Sequence, residues 1–117
     1  MPAILRILST NRTIPLTKAE YTIGRGSHCD IPITQKEAGP GYSYLSRPHA
    51  KLLFINGEWR IANLSQKNPT IVNGQNIGDS EIPLHSGDTI ELPATRILFE
   101  NAESGTQLIS GEFEVKS

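Results

Sequence analysis

The sequence predicts an all-β fold, either a sandwich or a barrel, and three observations support this prediction. Short apolar runs alternate with turn residues about every 8 to 12 positions, which is the spacing of strands in sandwiches and barrels. The pairs Asn56-Gly57 and Asn73-Gly74 follow apolar runs, and Asn-Gly favours two-residue hairpins because both central residues of a type I′ turn need positive φ. No segment repeats apolar residues at a helical period between caps, so little helix is expected.

The first third of the chain contains four short apolar runs that end at turn residues and predict strands. These runs are residues 3–8, 14–16, 21–23 and 29–33. The third run is stopped by residues 24–26, which form a Gly-Arg-Gly turn. In the fourth run Ile31 and Ile33 are two positions apart and therefore lie on one face of the strand.

Residues 34–45 form a long irregular segment after these strands. The segment contains Gly39-Pro40-Gly41 and two tyrosines, Tyr42 and Tyr44. Loops of about a dozen residues are uncommon in small domains and are often functional. We therefore expect either a binding loop or a tolerated surface insertion at this place.

The clearest hairpin prediction joins residues 51–55 to residues 58–64 across Asn56-Gly57. Trp59 and Ile61 alternate with other residues, so the second strand of this hairpin should have one buried face. Further strands are predicted at residues 71–72, 89–92 and 95–99. For residues 101–117 two alternatives stay open, an extra edge hairpin or a linker.

The charge balance and the cysteine count exclude several classes of function. The 117 residues suit one compact domain, and a net charge of -1 provides no basic field to attract nucleic acid. Any bound anion must therefore be held by local geometry. The single cysteine, Cys29, excludes a disulfide framework and a CxxC zinc site. No apolar run approaches the roughly 18 residues of a membrane span, so we predict a cytoplasmic protein without membrane insertion.

Enzyme, metal and nucleotide sites are each poorly supported. Ser46 precedes His49 by three positions, but no Gly-x-Ser-x-Gly elbow is present to expose a nucleophile. The histidines and Cys29 match no metal-ligand spacing. Residues 24–27, Gly-Arg-Gly-Ser, lack the Lys-Ser/Thr end of a P-loop and a following helix. We therefore predict no catalytic residues, no metal and no cofactor.

Four motifs, taken in order, resemble the forkhead-associated (FHA) domain family. They are residues 23–25 (Ile-Gly-Arg) with 29–31 (Cys-Asp-Ile), 45–50 (Leu-Ser-Arg-Pro-His-Ala), 68–74 (Asn-Pro-Thr-Ile-Val-Asn-Gly) and 84–90 (Leu-His-Ser-Gly-Asp-Thr-Ile). Each motif is common alone, whereas all four in this order are specific. The resemblance predicts an FHA domain at residues 1–100. It implies a two-sheet sandwich of about eleven mostly antiparallel strands, whose loops at one end bind phosphothreonine peptides.

The resemblance also implies a role for each residue of the site. In the family, residues at the positions of Arg25 and Ser46 hold the phosphate, and those at the positions of Arg47 and Asn68 hold the peptide main chain. The chemistry agrees, because a guanidinium can donate to two phosphate oxygens and an Asn amide offers a backbone both a donor and an acceptor. Residues expected to support the site structurally are Gly24, which would let the chain turn sharply, His49, Asn73 and Gly74.

Departures from the family pattern affect the expected site. Residues 66–70 are Gln-Lys-Asn-Pro-Thr where the family usually has Ser-Thr-Asn-Gly-Thr. Lys67 therefore replaces a threonine that contacts the phosphate, and we expect it to reach the phosphate as a point charge. Pro69 fixes φ and stiffens the loop that presents Asn68. The segment before Ser46 is longer than usual, and we expect Tyr44 in this segment to select side chains beyond the phosphothreonine.

The expected partner is a phosphothreonine-bearing protein or peptide, the product of a Ser/Thr kinase, bound by a monomeric domain. Two alternatives stay open. One is phosphate-independent interaction or oligomerisation through a sandwich face or a sheet edge, which the changes at Lys67 and Pro69 motivate. The other is a regulatory fragment of a larger enzyme or transporter, because FHA domains are often fused to such proteins.

Overall fold

The computed structural model describes residues 3–101, which form two β-sheets packed around one core. The eleven strands are β1 (Ala3–Ile7), β2 (Arg12–Leu16), β3 (Glu20–Arg25), β4 (Ile31–Ile33), β5 (Ala50–Ile55), β6 (Glu58–Asn63), β7 (Ile71–Val72), β8 (Gln75–Asn76), β9 (Glu81–Pro83), β10 (Thr89–Leu92) and β11 (Thr95–Asn101). The first sheet has the order β2-β1-β11-β10-β7-β8, and the second has the order β4-β3-β5-β6-β9. Among the described strands only the β3–β4 pair is parallel. The predicted two-sheet sandwich is therefore confirmed.

Alternation of buried and more exposed side chains along most strands builds the core from both sheets. In β1, Ala3, Leu5 and Ile7 point inward while the intervening residues are partly exposed. Because aromatic residues are only 6% of the chain, aliphatic side chains fill most of the interior. Each fully buried Leu or Ile contributes about 1.5–3 kcal/mol. Large apolar side chains with no exposure (0%) include Leu5, Ile7, Ile23, Leu52, Ile61, Ile90, Ile97 and Phe99.

Both predicted Asn-Gly hairpins are confirmed by their backbone angles. Asn56 and Gly57 join β5 to β6 with φ values of 53° and 78°, and Asn73 and Gly74 join β7 to β8 with 51° and 83°. These are the positive values that a type I′ turn requires. Asn73 also donates from Nδ2 to Asp88 Oδ1 at 2.9 Å, which ties this turn to the start of β10.

The expectation of an irregular loop at residues 34–45 is wrong. The segment contains a short helix, α1 (Gln35–Ala38), followed by a 3₁₀ helix (Gly39–Tyr44). Thr34 begins α1 with a capping box, in which its side chain accepts from Glu37 N while Glu37 Oε1 accepts from Thr34 N at 2.9 Å. This reciprocal pairing satisfies amide groups that the first turn of a helix leaves free. The segment is therefore an ordered insertion, and we refer to residues 34–45 as the helical insertion.

A buried carboxylate fastens the helical insertion to the β1–β2 turn. Glu37 is only 5% exposed, and Arg12 donates to both of its oxygens, at 2.7 and 3.1 Å. Burial raises the pKa of Glu37, but hydrogen bonds from Arg12 and from the Thr34 amide outweigh burial and hold the pKa below its usual value. Glu37 is therefore ionised near neutral pH, and this end of the insertion is fixed.

The middle of the helical insertion rests on the turn between β10 and β11. A Cβ atom added at Gly41 would lie 2.1 Å from the Ala94 Cβ atom, so the two residues are in direct backbone-to-side-chain contact. Ala94 has a φ of 60°, which L-residues adopt at a cost of about 1–2 kcal/mol. The contact therefore depends on a small residue at both positions.

We predict that Gly41→Ala destabilises the protein by about 1–3 kcal/mol through overpacking. Ala94→Gly should restore most of this loss, because it removes the clashing methyl group and relieves the positive φ. Urea unfolding of the two single variants and the double variant measures this coupling. Strictly additive free energies of unfolding would contradict the proposed contact.

Each of the four edge strands in the sheets formed by residues 3–101 either contains a proline or is very short. The edge strands β2, β4 and β9 contain Pro15, Pro32 and Pro83, and the fourth edge, β8, has two residues. Proline lacks the N–H that would pair with an added strand. In β4 the Pro32 carbonyl is also occupied, since Arg12 Nη2 donates to it at 2.8 Å. Strand addition at these edges is therefore disfavoured.

The C-terminal prediction, a hairpin or linker at residues 101–117, concerns residues that lie outside the described part of the chain except for Asn101, the last residue of β11. It stays a prediction. Between residues 3 and 101, no helix has the length and apolar character needed to cross a membrane.

Candidate functional site

The end of β3 and two loops line a pocket of about 670 Å³ at one end of the sandwich. One loop runs from the end of the helical insertion to β5, and the other follows β6. The residues lining the pocket include Arg25, Tyr44, Ser46, Arg47, Lys67 and Asn68. All the residues predicted to contact a phosphopeptide are therefore brought together at one place.

The pocket concentrates positive charge that is not neutralised by the protein. Arg25, Arg47 and Lys67 line it, whereas no Asp or Glu does. None of the three cations forms an ion pair with a described residue, although five other cations do. Arginine and lysine are the side chains that bind phosphate groups. A protein with a net charge of -1 thus provides a local site for an anion.

Arg25 is held in one orientation from two sides. Its Nε donates to the Leu45 carbonyl at 3.0 Å, and its Cζ lies 5.9 Å from the centre of the Tyr42 ring. These contacts leave the two terminal nitrogens without a described protein partner. The fork of the guanidinium is therefore positioned and available for two acceptor oxygens.

Ser46 and Ser65 form a hydroxyl pair beside Arg25. The two Oγ atoms are 2.7 Å apart, and Ser65 Oγ also accepts from Lys67 N and Asn68 N, each at 3.2 Å. These bonds shape the turn after β6. Lys67 is thus held by its backbone, while its side chain lines the pocket.

Asn68 links the β6–β7 loop to the helical insertion. Its Nδ2 donates to the Tyr44 carbonyl at 3.1 Å, so the two predicted peptide-contacting elements touch each other.

Tyr44 is 62% exposed. Tyr44 and Asn68 also line a second pocket of about 430 Å³, whose wall is completed by mainly apolar residues that include Pro69, Leu92, Pro93 and Ala94.

His49 is buried beneath the loops and contacts two of them through its ring nitrogens. The residue has no solvent exposure, its Nδ1 accepts from Ser46 N at 3.0 Å, and its Nε2 lies 3.3 Å from the Pro69 carbonyl. Because a carbonyl only accepts, Nε2 must be the protonated nitrogen of a neutral ring. Burial, opposed by hydrogen bonds to the loop backbone, lowers the pKa of His49 below its ordinary value.

We predict that the protein loses stability as the pH falls below about 6.5, the ordinary pKa of histidine. In this range the His49 side chain binds a proton more readily in the unfolded state than in the folded state. The free energy of unfolding therefore decreases as the pH falls. The stabilising contribution of neutral His49 is complete above this pH. Urea unfolding between pH 7.5 and about 5 measures the effect.

The matched control for this pH effect is the double variant His28→Gln/His85→Gln, which leaves His49 as the remaining histidine. Because His28 and His85 are exposed, the variant should keep the loss of stability near pH 6. Carboxylate groups such as Glu37 titrate at lower pH. A free energy of unfolding that stays constant from pH 7.5 to 5.5 would contradict a buried neutral His49.

The expected reason for a glycine at position 24, a sharp turn of the chain, is wrong. Gly24 lies within β3 and is not among the residues with positive φ, so it makes no sharp turn. A Cβ atom at this position would lie 2.4 Å from the Ser46 carbonyl oxygen and 2.7 Å from His49 N. Gly24 is therefore required because the backbone of the Ser46 loop passes directly over it.

Asn73 and Gly74 do not line the pocket; they form the β7–β8 turn.

Three residues that shape the site were not identified from the sequence, namely Tyr42, Ser65 and Asn63. Asn63 Oδ1 accepts from the buried Thr70 at 2.8 Å, and its Nδ2 donates to the Ser65 carbonyl at 2.7 Å. The sequence signal that could have revealed Ser65 is its place immediately before a polar turn, where Ser side chains often bond to nearby amides.

Comparison with known proteins gives one family and many similar folds. The family model described as FHA domain matches residues 21–93, whereas no curated protein matches. The Slr1951 protein from Synechocystis sp. is 29% identical, with 87% of this chain and 97% of that chain covered and a TM-score of 0.68. The FhaA FHA domain complexed with the intracellular domain of Rv3910 is 25% identical, with coverages of 84% and 99% and a TM-score of 0.70. The N-terminal FHA domain of S. cerevisiae Rad53p in complex with a phosphothreonine peptide is 18% identical, with coverages of 88% and 95% and a TM-score of 0.75.

Proposed function

The chain belongs to the FHA domain family, and from this premise we propose that it binds phosphothreonine-containing segments of other proteins through the pocket around Arg25 and Ser46. The observation that carries the proposal is the convergence of three unpaired cations and a serine hydroxyl in a pocket lined by no carboxylate. The FhaA domain and the Rad53p domain, which share this fold, are bound to the intracellular domain of Rv3910 and to a phosphothreonine peptide respectively.

The phosphate group matches the donors of the pocket in number and charge. A phosphothreonine has a charge of about -1.5 to -2 and three acceptor oxygens. The free fork of Arg25 can donate to two oxygens, and the Ser46 hydroxyl can donate to the third. Lys67, on a longer and more mobile arm, adds a point charge in place of the usual threonine.

Contacts with the peptide main chain should come from Arg47 and Asn68. The Oδ1 atom of Asn68 has no described partner, and its Nδ2 can exchange the Tyr44 carbonyl for a peptide carbonyl. Three or four charge-assisted hydrogen bonds of about 1.5–3 kcal/mol each, less the costs of association and ordering, leave a binding free energy no more favourable than about -8 kcal/mol. This corresponds to a dissociation constant in the micromolar range.

The test is isothermal titration of the protein with phosphothreonine peptides drawn from an oriented library, with the same peptides in unphosphorylated form as the control. We expect micromolar binding that requires the phosphate. Equal binding of the two forms, or no binding of either, would refute the proposal.

Tyr44 and the second pocket should determine which peptides are preferred. The pocket adjoins the phosphate site at Tyr44 and Asn68, and its wall is mainly apolar. We therefore propose that it accepts an apolar side chain of the peptide near the phosphothreonine.

We predict that Tyr44→Ala reduces the preference for an apolar residue at that peptide position by about threefold to tenfold, equivalent to about 0.7–1.4 kcal/mol. The oriented library, screened with both proteins, measures the change. Tyr44→Phe is the matched control and should keep the preference, because it retains the ring. An unchanged profile for Tyr44→Ala would show that Tyr44 does not select peptides.

Phosphate-independent oligomerisation through a sheet edge is the weaker candidate. Pro15, Pro32 and Pro83 remove backbone donors from three edges, and the fourth edge has two residues. Light scattering of the protein, and a pull-down with Arg25→Ala, test this candidate. Assembly that survives loss of Arg25 would favour it.

The remaining parts of the proposal concern the cellular setting. We propose that the phosphothreonine is the product of a Ser/Thr kinase and that the domain acts in signalling as a cytoplasmic monomer without catalytic activity. The absence of a nucleophile elbow in the sequence supports a binding role. Between residues 3 and 101, no three His, Cys, Asp or Glu side chains form a group that could hold a metal.

A further inference from the structure

The Ser65 hydroxyl has only one acceptor to which it can donate its proton. A hydroxyl oxygen has one proton and two lone pairs. Lys67 N and Asn68 N donate to Ser65 Oγ, each at 3.2 Å, and occupy both lone pairs. Ser65 must therefore donate its own proton to Ser46 Oγ, which lies 2.7 Å away.

The hydrogen bond donated by Ser65 determines whether the Ser46 hydroxyl can act as a donor toward a ligand. Once Ser46 Oγ accepts from Ser65, its own proton has no acceptor among the described residues. The oxygen lies in the pocket with Arg25 and Lys67, so the free O–H is left for a group that enters the pocket. Such a group must be an acceptor at this place, as a phosphate oxygen is.

Ser65 itself is held firmly enough to impose this direction. The residue is only 8% exposed, and Asn63 contacts its backbone on both sides, accepting from Ser65 N at 3.3 Å and donating to the Ser65 carbonyl at 2.7 Å. The chain of donors therefore starts at two loop amides, passes through Ser65 and ends at Ser46. Each bond in such a chain polarises the next one.

We propose that Ser65 is a positioning residue for anion binding, because it fixes the hydroxyl of Ser46 as a donor toward the bound phosphate. This inference rests on the proposed function and deepens it. Ser65 also lines the pocket, but its single proton is directed to Ser46, so in this proposal it acts through Ser46. The pocket is therefore prepared before the ligand arrives, because the Ser46 hydroxyl gives up no other acceptor when the phosphate binds.

A double-mutant cycle separates this role from a general effect on loop shape. Isothermal titration uses the phosphothreonine peptide that binds best in the library, with Ser46→Ala, Ser65→Ala and the double variant. We expect at least tenfold weaker binding for Ser46→Ala, about fivefold for Ser65→Ala, and no further loss when Ser65→Ala is added to Ser46→Ala. Ser80→Ala, which removes an exposed hydroxyl outside this pocket, is the matched control and should bind within twofold.

Equal losses from Ser65→Ala in the presence and absence of the Ser46 hydroxyl would overturn the inference, because Ser65 would then act through the loop. No loss from Ser65→Ala in either background would overturn it as well. If the unaltered protein binds no phosphopeptide, the proposed function and this inference fall together. Binding with additive losses refutes the inference alone.

A second measurement on the unaltered protein does not depend on the variants being folded. Solution NMR can detect hydroxyl protons that are protected from exchange with water. We expect the Ser65 hydroxyl to be protected in the free protein and the Ser46 hydroxyl to become protected only when the phosphopeptide binds. Protection of the Ser46 hydroxyl in the free protein would overturn the inference, since it would show that Ser46 donates to Ser65.

Discussion

Replacing Arg25 with alanine is expected to weaken binding of a phosphothreonine peptide by about 100-fold or more. The free fork of Arg25 offers two charge-assisted hydrogen bonds, and each contributes about 1.5–3 kcal/mol. The Leu45 carbonyl and the Tyr42 ring already hold the guanidinium in place, so little ordering entropy opposes these bonds in the unaltered protein. Isothermal titration of the variant measures the loss directly.

Two further variants separate the geometry of Arg25 from its charge. Arg25→Lys keeps one positive charge but loses the fork, and it should bind with an intermediate affinity. Lys51→Ala removes an unpaired positive charge from β5, away from the pocket, and should change the affinity by no more than about twofold. If Arg25→Ala and Lys51→Ala have the same effect, the pocket does not bind the phosphate.

Substituting alanine for Gly24 is expected to lower the free energy of unfolding by about 3 kcal/mol or more, through overpacking against backbone atoms. The new Cβ would lie 2.4 Å from the Ser46 carbonyl oxygen and 2.7 Å from His49 N. These atoms belong to the loop that contains Ser46, and Arg25 N also donates to the Ser46 carbonyl at 3.0 Å. The variant should therefore lose phosphopeptide binding together with stability. Urea unfolding and titration measure both effects.

Gly41 provides the matched comparison for Gly24, because an added Cβ would clash at both positions. At Gly41 the obstacle is the side chain of Ala94, and Ala94→Gly removes it. At Gly24 the obstacle is backbone, so no single substitution of a neighbour can make room. A Gly24→Ala protein with the stability and affinity of the unaltered protein would contradict the close approach of the two loops.

Most of the strands and the central binding residues were predictable from the sequence because their determinants are local. Asn56-Gly57 fixes a hairpin through the φ values of two adjacent residues, and the structure has this hairpin. Arg25 and Ser46 stand in short motifs at the ends of apolar runs, and the fold brings them to one pocket. Their contact with phosphate stays a prediction.

The helical insertion was not predictable in the same way. A helix of four residues, α1, is too short to produce an apolar period. The Thr34-x-x-Glu37 capping box was a visible signal, but Arg12, the ion-pair partner of the buried Glu37, lies 25 positions earlier in the chain. The true role of Gly24 was equally hidden, because it depends on which backbone segment passes over β3.

The proline residues in β2, β4 and β9 affect how copies of this domain behave when they are crowded together. Sheets with open edges can join irreversibly and grow into aggregates, whereas prolines at the edges block that growth. Many copies held close together on one scaffold would therefore remain separate folded units. Any assembly built through the pocket could then be reversed by a phosphatase, since removal of the phosphate would release each copy intact.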